Sequence, residues 1–198
     1  MSPRARDALV FAALLAAAVI LARVAPSERV LGGAVRIVYL HGAFVWSALL
    51  AFLGAALAGL GGWILRRPAW HAWSIGLGRS ATLFWWMSMA LSLAAMQTSW
   101  NGLYLAEPRW QLAVRFGLVA VMLQAAIVLV RRPALGSLLN IVFVAALILS
   151  LARTPTVLHP VSPIFTSESM TIRAHFLLLS AVVLAGVVWL GRAVRPRA

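Results

Sequence analysis

Apolar residues along this chain fall into six long runs, and the breaks between the runs carry proline, arginine or polar residues. A bilayer hydrocarbon core of about 30 Å needs roughly 20 apolar residues in a helix. We therefore predict six transmembrane helices, at residues 8–25, 37–65, 80–98, 111–130, 134–152 and 174–194. The proline- and arginine-bearing breaks are where these helices are expected to stop. An alternating strand pattern is missing, so the fold class is an all-α, polytopic helix bundle.

The composition agrees with this pattern. Apolar residues make up 63% of the chain and charged residues only 11%, and the mean hydropathy is +0.96, which is typical of an integral membrane protein. We predict one membrane domain over residues 1–198. The first run could instead be a cleaved signal peptide, because Arg4 and Arg6 precede a short apolar core that ends at Ala25. An even number of spans favours a retained helix.

Charge bears on orientation. Seventeen arginines face four acidic residues, for a net charge of +13. In a soluble protein this balance would suggest nucleic acid. Here the arginines lie between apolar runs, which favours topology signals and contacts with anionic head groups, and no nucleic-acid partner. With the N-terminus inside, ten arginines lie on the inner side and seven on the outer side. Both termini are therefore predicted to be cytoplasmic.

Candidate chemistry gathers on the predicted outer face, which receives His41, His159 and His175 together with three of the four acids. Two neutral imidazoles far apart in sequence but on one side suit the axial positions of a single haem iron. Simpler interpretations exist: His41 lies near a helix end and could reach the head groups, and His159 lies in a proline-rich loop. His175 and His71 are interpreted as packing or interfacial residues.

The segment Glu107-Pro108-Arg109 lies in the outer loop between the third and fourth helices. The two charges could simply neutralise each other at the membrane surface. Alternatively, Arg109 could offer its planar donor fork to an external carboxylate, such as a haem propionate. Cysteine is absent, which excludes disulfides, thiolate metal sites and a cysteine nucleophile.

Other features have structural interpretations. Gly54, Ala58 and Gly62 recur every four residues and predict close helix contact. Gln124 and Asn140 are predicted to form hydrogen bonds between helices. Tryptophans near the predicted interfaces are explained by an aromatic belt. This interpretation covers Trp46, Trp63, Trp70, Trp73, Trp85, Trp86, Trp110 and Trp189.

The order of these pieces resembles the CcmC family of haem-handling proteins in cytochrome c maturation, part of the tryptophan-rich WWD superfamily. The stretch "VYLHGAFVW" resembles the family's aromatic-x-His-x-Pro-x-x-x-Trp segment. It gives His41 the role of one axial ligand and puts Trp46 in a matching position. Gly42 or Ala43 stands where proline is usual. The stretch "TVLHPVSP" is similar to the family's Leu-His-x-Pro segment and gives His159 the second ligand role.

The stretch "WNGLYLAEPRW" is similar to the family's tryptophan-rich outer loop at its two ends. Trp100 matches the first tryptophan, and Glu107 stands for the usual aspartate before Pro108 and Arg109. Tyr104 falls where a tryptophan is expected, and two further inner tryptophans are replaced by Leu103 and Ala106. The resemblance implies an outer-face haem-contact loop. In it Arg109 and Glu107 lie by the haem, and Trp100 and Tyr104 flank the porphyrin.

The resemblance implies six helices, haem b as transient cargo, and delivery of that haem for cytochrome c assembly in a bacterial inner membrane. Implied partners are the lipid bilayer, other membrane proteins of cytochrome c maturation and a periplasmic haem chaperone. Such a protein binds and delivers haem rather than catalysing a reaction. The reduced aromatic area of the loop leaves an alternative, a non-catalytic accessory membrane subunit on the same scaffold that no longer binds haem.

Two further functions are disfavoured by the residues. An electron-transferring cytochrome b or quinone-reducing anchor usually has histidines within helices that face one another across the membrane core. Here the histidines lie at helix ends. A solute transporter usually has polar or broken helices near the midplane, and no pair of intramembrane carboxylates is present. Nothing in the sequence supports hydrolytic or phosphoryl-transfer chemistry.

Overall fold

The structure is a computed structural model that describes residues 2–158, 164–165 and 167–196. Within this part of the chain it is all-helical, with no strand. The six helices are α1 (Pro3–Arg23), α2 (Val35–Leu65), α3 (Pro68–Ser99), α4 (Pro108–Val130), α5 (Pro133–Arg153) and α6 (Met170–Val194). The predicted fold class and the number of helices are confirmed. The side of the membrane on which the termini lie stays a prediction.

Helices end at the proline- and arginine-bearing breaks as predicted, and the prolines also mark where the next helices start. Four helices begin with proline in their first turn, at Pro3, Pro68, Pro108 and Pro133. The first turn of a helix has no partner for its N–H groups, so the missing proline N–H costs nothing there. α3 begins at Pro68, twelve residues before the predicted start at residue 80.

The two longest helices form the centre of the bundle. α2 has 31 residues and α3 has 32, which at 1.5 Å per residue gives lengths of about 46 and 48 Å. α5 and α6 each contact both central helices. α4 packs beside α3 and α5, and α1 packs beside α2 and α6. α1 is further tied to α6 by the ion pair of Asp7 and Arg192, at 2.6 Å.

Five helices are long and apolar enough to cross a membrane, and α3 is the exception among the six described. Its lower hydropathy comes from polar residues that face the protein, not lipid. Ser80, Ser88 and Ser92 are buried, and each hydroxyl donates to the backbone carbonyl three residues earlier. A central helix presents much of its surface to neighbouring helices, so it tolerates these side chains there.

Tryptophans in the middle of α3 join it to α4. The indole N–H of Trp85 donates to the carbonyl of Ala113 at 2.8 Å, and that of Trp86 donates to the carbonyl of Gly117 at 3.2 Å. Trp85 is only 3% exposed. The aromatic-belt interpretation was therefore wrong for Trp85, because a buried indole needs an acceptor inside the protein and finds one in a neighbouring helix. Trp86 is half-buried.

Polar and small residues pack as the sequence predicted. Gln124 donates to Asn140 at 3.2 Å, and Asn140 donates to the carbonyl of Ser74 at 3.0 Å, which joins α4, α5 and α3. At Gly62 a Cβ atom would overlap the ring of His71, so this glycine lets α2 and α3 approach closely. Both sequence predictions are confirmed.

The connections divide the bundle into two ends. The long-loop end contains residues 24–34, 100–107 and 154–169. The terminal end contains both chain termini and two short turns, Arg66–Arg67 and Arg131–Arg132. His71 lies near the terminal end, where its Nδ1 is 2.7 Å from the hydroxyl of Ser137. It therefore joins α3 to α5 and is not only the interfacial residue that the sequence suggested.

Candidate functional site

His41 lies in the second turn of α2, at the long-loop end, and is half-buried. Its Nδ1 is 3.0 Å from the carbonyl oxygen of Ser88 on α3. A carbonyl oxygen only accepts hydrogen bonds, so in the neutral ring Nδ1 carries the proton. Nε2 is then the basic nitrogen, the form of imidazole that binds metals, and the bond to Ser88 orients the ring. The chemistry of His41 therefore suits axial ligation.

His159 lies outside the described residues, but the chain just before it is described. The backbone N–H groups of Val157 and Leu158 donate to the two carboxyl oxygens of Glu107, at 3.3 and 3.0 Å. Glu107 thereby ties the α5–α6 connection to the α3–α4 loop. Residues 157–158 are the immediate neighbours of His159 in sequence.

The described residues beyond His159 contact α2. The ring of Phe165 meets the ring of Trp46 edge-on, with centroids 5.8 Å apart. A Cβ atom at Gly42 would lie 3.3 Å from the ring of Phe176 and 3.9 Å from Ile164. Gly42 directly follows His41, and glycine there leaves space for the aromatic ring of α6. The α5–α6 connection is thus held on both sides of residues 159–163.

Glu107 is buried, with an exposed fraction of 0%. Its two oxygens receive the N–H groups of residues 157 and 158, so it holds one loop against another. The described chain contains a single ion pair, Arg192 with Asp7. Glu107 and Arg109 therefore do not neutralise each other as the simpler sequence interpretation proposed. A direct contact of Glu107 with haem stays a prediction.

Arg109 follows Pro108 in the first turn of α4 and is half-buried. Its Nε is buried and has no hydrogen-bond partner among the described residues. Trp100, at the end of α3, is half-buried, while Tyr104 is 40% exposed. The loop thus carries a guanidinium group whose Nε has no partner among the described residues, together with two partly exposed aromatic rings.

Positive charge dominates the long-loop end. It has seven arginines and three acids, and no ion pair forms among its described residues. Glu28 instead accepts the backbone N–H groups of Val30 and Leu31, at 2.8 and 2.9 Å. These bonds, that of Leu31 first and then that of Val30, lower the pKa of Glu28. With Glu28 and Glu107 both bonded to backbone, the arginines are left to attract external anions.

The third histidine at this end has a packing role, as the sequence suggested. His175 on α6 has its Nε2 2.9 Å from the carbonyl oxygen of Leu21 on α1. It therefore joins two helices, and its ring nitrogen is used within the bundle.

Two features of the site escaped sequence reasoning. Ser88 contributes to His41 through its backbone carbonyl, a group that every residue carries. Glu107 is likewise recognised by backbone N–H groups of residues 157 and 158. Residue type gives no signal for either contact. In contrast, a glycine within an apolar helix indicates a close contact at that position. Gly42 makes such a contact with the ring of Phe176.

The described residues contain no group of three or more His, Asp or Glu side chains that could hold a metal ion. A haem iron needs only two axial ligands from the protein. A scan of protein-family models finds no match to this chain, and a search of curated protein sequences also finds none.

Proposed function

We propose that this protein binds haem b at its long-loop end, with His41 and His159 as the axial ligands, and delivers it for cytochrome c assembly. The observation that carries the proposal is the anchoring of the chain on both sides of His159. Glu107 holds residues 157–158 on one side. On the other side Phe165 packs on Trp46, in the helix that carries His41.

Electrostatics support the same proposal. Haem carries two propionates, and Arg109 at this end has a buried Nε without a partner among the described residues. A planar guanidinium suits a carboxylate. Partly exposed Trp100, Tyr104 and Trp46 offer aromatic surface for a porphyrin. Haem bound at such an exposed end would be cargo, with one edge accessible to an acceptor such as a periplasmic haem chaperone.

The proposal also includes a location and partners. A haem donor for cytochrome c assembly would act in a bacterial inner membrane, with its long-loop end outward and both termini cytoplasmic. It would work beside other membrane proteins of cytochrome c maturation. The multi-pass helical fold and the excess of arginine at the terminal end support this placement.

The test is the visible spectrum of the detergent-purified protein, oxidised and reduced, after haem is supplied. We expect a Soret band and sharp reduced α and β bands, which His41→Ala and His159→Ala each weaken strongly. His175→Ala is the matched control, since this histidine lies at the same end but bonds to Leu21. Spectra that respond equally to all three substitutions, or to none, would contradict the ligand assignment.

A second function is favoured by one observation. Leu103, Tyr104 and Leu105 are 55%, 40% and 45% exposed in the α3–α4 loop, the segment that resembles the tryptophan-rich loop of the CcmC family. An apolar surface of this kind suits a partner protein, which would make the chain a non-catalytic accessory membrane subunit. Haem-free protein that copurifies with a larger membrane complex, and loses it on Leu103→Ser with Leu105→Ser, would support this function instead.

A further inference from the structure

A groove lies between α2 and α3 near the terminal end, far from the haem-binding residues proposed above. Its volume is about 430 Å³. The lining is apolar, and includes Gly54, Ala58, Ala69, Trp70, Trp73 and Leu77. Small residues on α2 and the opening turn of α3 leave the space that forms this groove.

The groove follows the α2–α3 crevice over much of the length of one membrane leaflet. On α3 its lining runs from Ala69 to Leu77, and these eight steps are about 12 Å along the helix at 1.5 Å per residue. Half of a hydrocarbon core of about 30 Å is about 15 Å. The groove therefore matches most of the length that one acyl chain occupies in its leaflet.

Positive charge surrounds the mouth of the groove. The turn Arg66–Arg67 immediately precedes Ala69 and Trp70, and both arginines are exposed. Arg195, just past the end of α6, has its guanidinium carbon 4.6 Å from the centre of the Trp73 ring. None of these three arginines forms an ion pair within the described chain. The first-turn N–H groups of α3 add positive partial charge at the same place.

We propose that this groove binds an anionic phospholipid, with an acyl chain along the α2–α3 crevice and the phosphate held by Arg66, Arg67 and Arg195. The charge pattern disfavours a second copy of the chain as occupant. A symmetric contact there would bring the same three arginines of both copies together. A phospholipid instead supplies a negative head group at the interface and an apolar chain below it.

The chain contains its own control for this proposal. The sequence Arg-Arg-Pro-Ala occurs at residues 66–69 and again at residues 131–134. The backbone is closely similar, since Arg66 and Arg131 have φ of 53° and 54°. The second turn is followed by Leu135 and Gly136 instead of Trp70 and His71. Removing both arginine charges therefore lowers the net charge equally at either turn. Only their removal at Arg66 and Arg67 alters the proposed site.

The experiment uses native mass spectrometry of the full chain released from micelles that hold equal amounts of dioleoylphosphatidylglycerol and dioleoylphosphatidylcholine. We expect one phosphatidylglycerol to be retained in preference. Arg66→Gln with Arg67→Gln should lower that preference about fivefold or more, given the usual contribution of an arginine near anionic lipid. Arg131→Gln with Arg132→Gln should leave it unchanged. Equal losses from the two pairs would mean diffuse surface charge and would overturn the proposal.

A second variant tests the groove itself. Ala69 is exposed and lines the groove, so Ala69→Leu fills space without burying a larger side chain in the core. We expect it to reduce retention of both lipids, whereas soluble glycerol phosphate should bind no variant measurably. A mass of two chains that Ala69→Leu converts to one would identify a second copy as the occupant and overturn the proposal. Thermal melting of each variant establishes that it is folded.

Discussion

At the terminal end, α2 joins α3 and α4 joins α5 through turns of two residues, whereas the long-loop end has connections of eleven, eight and sixteen residues. The helices at the terminal end touch directly, since a Cβ atom added at Gly62 or Gly76 would overlap atoms of a neighbouring helix. At the other end, Gly33 and Gly102 have nothing within 4 Å of an added Cβ. The loops there are held by a few contacts instead, among them the hydrogen bonds of Glu28 and Glu107 and the packing of Phe165 on Trp46.

This difference suits different tasks. Tight packing at Gly62 and Gly76 fixes the contacts of α3 with α2 and α6 at the terminal end, beside the groove that α2 and α3 leave open. At the long-loop end Glu107 ties down residues 157–158 through two hydrogen bonds, and much of the surrounding loop surface is exposed. A surface of that kind can take up and release a ligand, because few packed contacts must change when the ligand leaves.

The largest expected effect concerns packing at the terminal end. Gly76→Leu would drive a Cβ atom into the carbonyl oxygen of Gly191, where α3 crosses α6. Because backbone cannot move aside cheaply, we expect destabilisation of about 3 kcal/mol or more, measured as the melting temperature in detergent by tryptophan fluorescence. Gly102→Leu at the long-loop end is the control and should change stability by less than about 0.5 kcal/mol. Similar effects at the two positions would remove the contrast between the ends.

The next effect concerns the bond between loops. In Glu107→Gln the remaining side-chain oxygen still accepts one backbone N–H group. An NH₂ group replaces the other oxygen and faces the second N–H group, of Val157 or Leu158. We expect a loss of about 1–3 kcal/mol, because a buried donor is left unpaired. Hydrogen exchange at residues 157–158 should accelerate.

Glu168→Gln is the matched control for that substitution, since Glu168 is exposed in the same connection. It removes the same charge without touching the two hydrogen bonds. Unchanged exchange in Glu107→Gln would show that the loop is held by other contacts.

A smaller effect is expected from one of the hydrogen bonds between α3 and α5, that of His71 with Ser137. Ser137→Ala removes the partner of His71 Nδ1, which should cost about 1 kcal/mol. The hydroxyl of Ser180 is buried without a partner in the described part of the chain, so Ser180→Ala should be neutral or slightly stabilising. If Ser137→Ala and Ser180→Ala had the same melting temperature, the hydrogen bond of His71 with Ser137 would make no measurable contribution to stability.

The smallest effect is a dependence on pH in the α1–α2 loop. Backbone hydrogen bonds hold the pKa of Glu28 below its ordinary value of 4.5. A lowered pKa means that the ionised form stabilises the folded state above pH 4.5, and that this contribution fades as the pH falls through the lowered value. The difference in melting temperature between wild type and Glu28→Gln should therefore shrink on acidification. If the difference in melting temperature stayed constant with pH, ionisation of Glu28 would not be its cause.

The sequence predicted most of the fold and part of the candidate site. Each of the six predicted runs corresponds to one helix, and five of the six described helices are long and apolar enough to cross a membrane. The start of α3 was misplaced, since His71, Ser74 and Arg79 interrupt the apolar run of residues 68–79. In the bundle each of the three bonds to a residue of another helix. Trp85 and Trp86 were assigned to the interface because an indole is amphipathic; their acceptors on α4 are backbone carbonyls.

By itself the sequence determined the class of protein, the number of helices and the residue types from which a haem site could be built, since these depend on side-chain polarity and spacing. Only the tertiary structure decided what those residues do to one another. His41 is oriented by the carbonyl of Ser88, and Glu107 holds residues 157–158 rather than pairing with Arg109. Backbone N–H and C=O groups are present at every position, so only the packing of helices and loops determines which of them become partners.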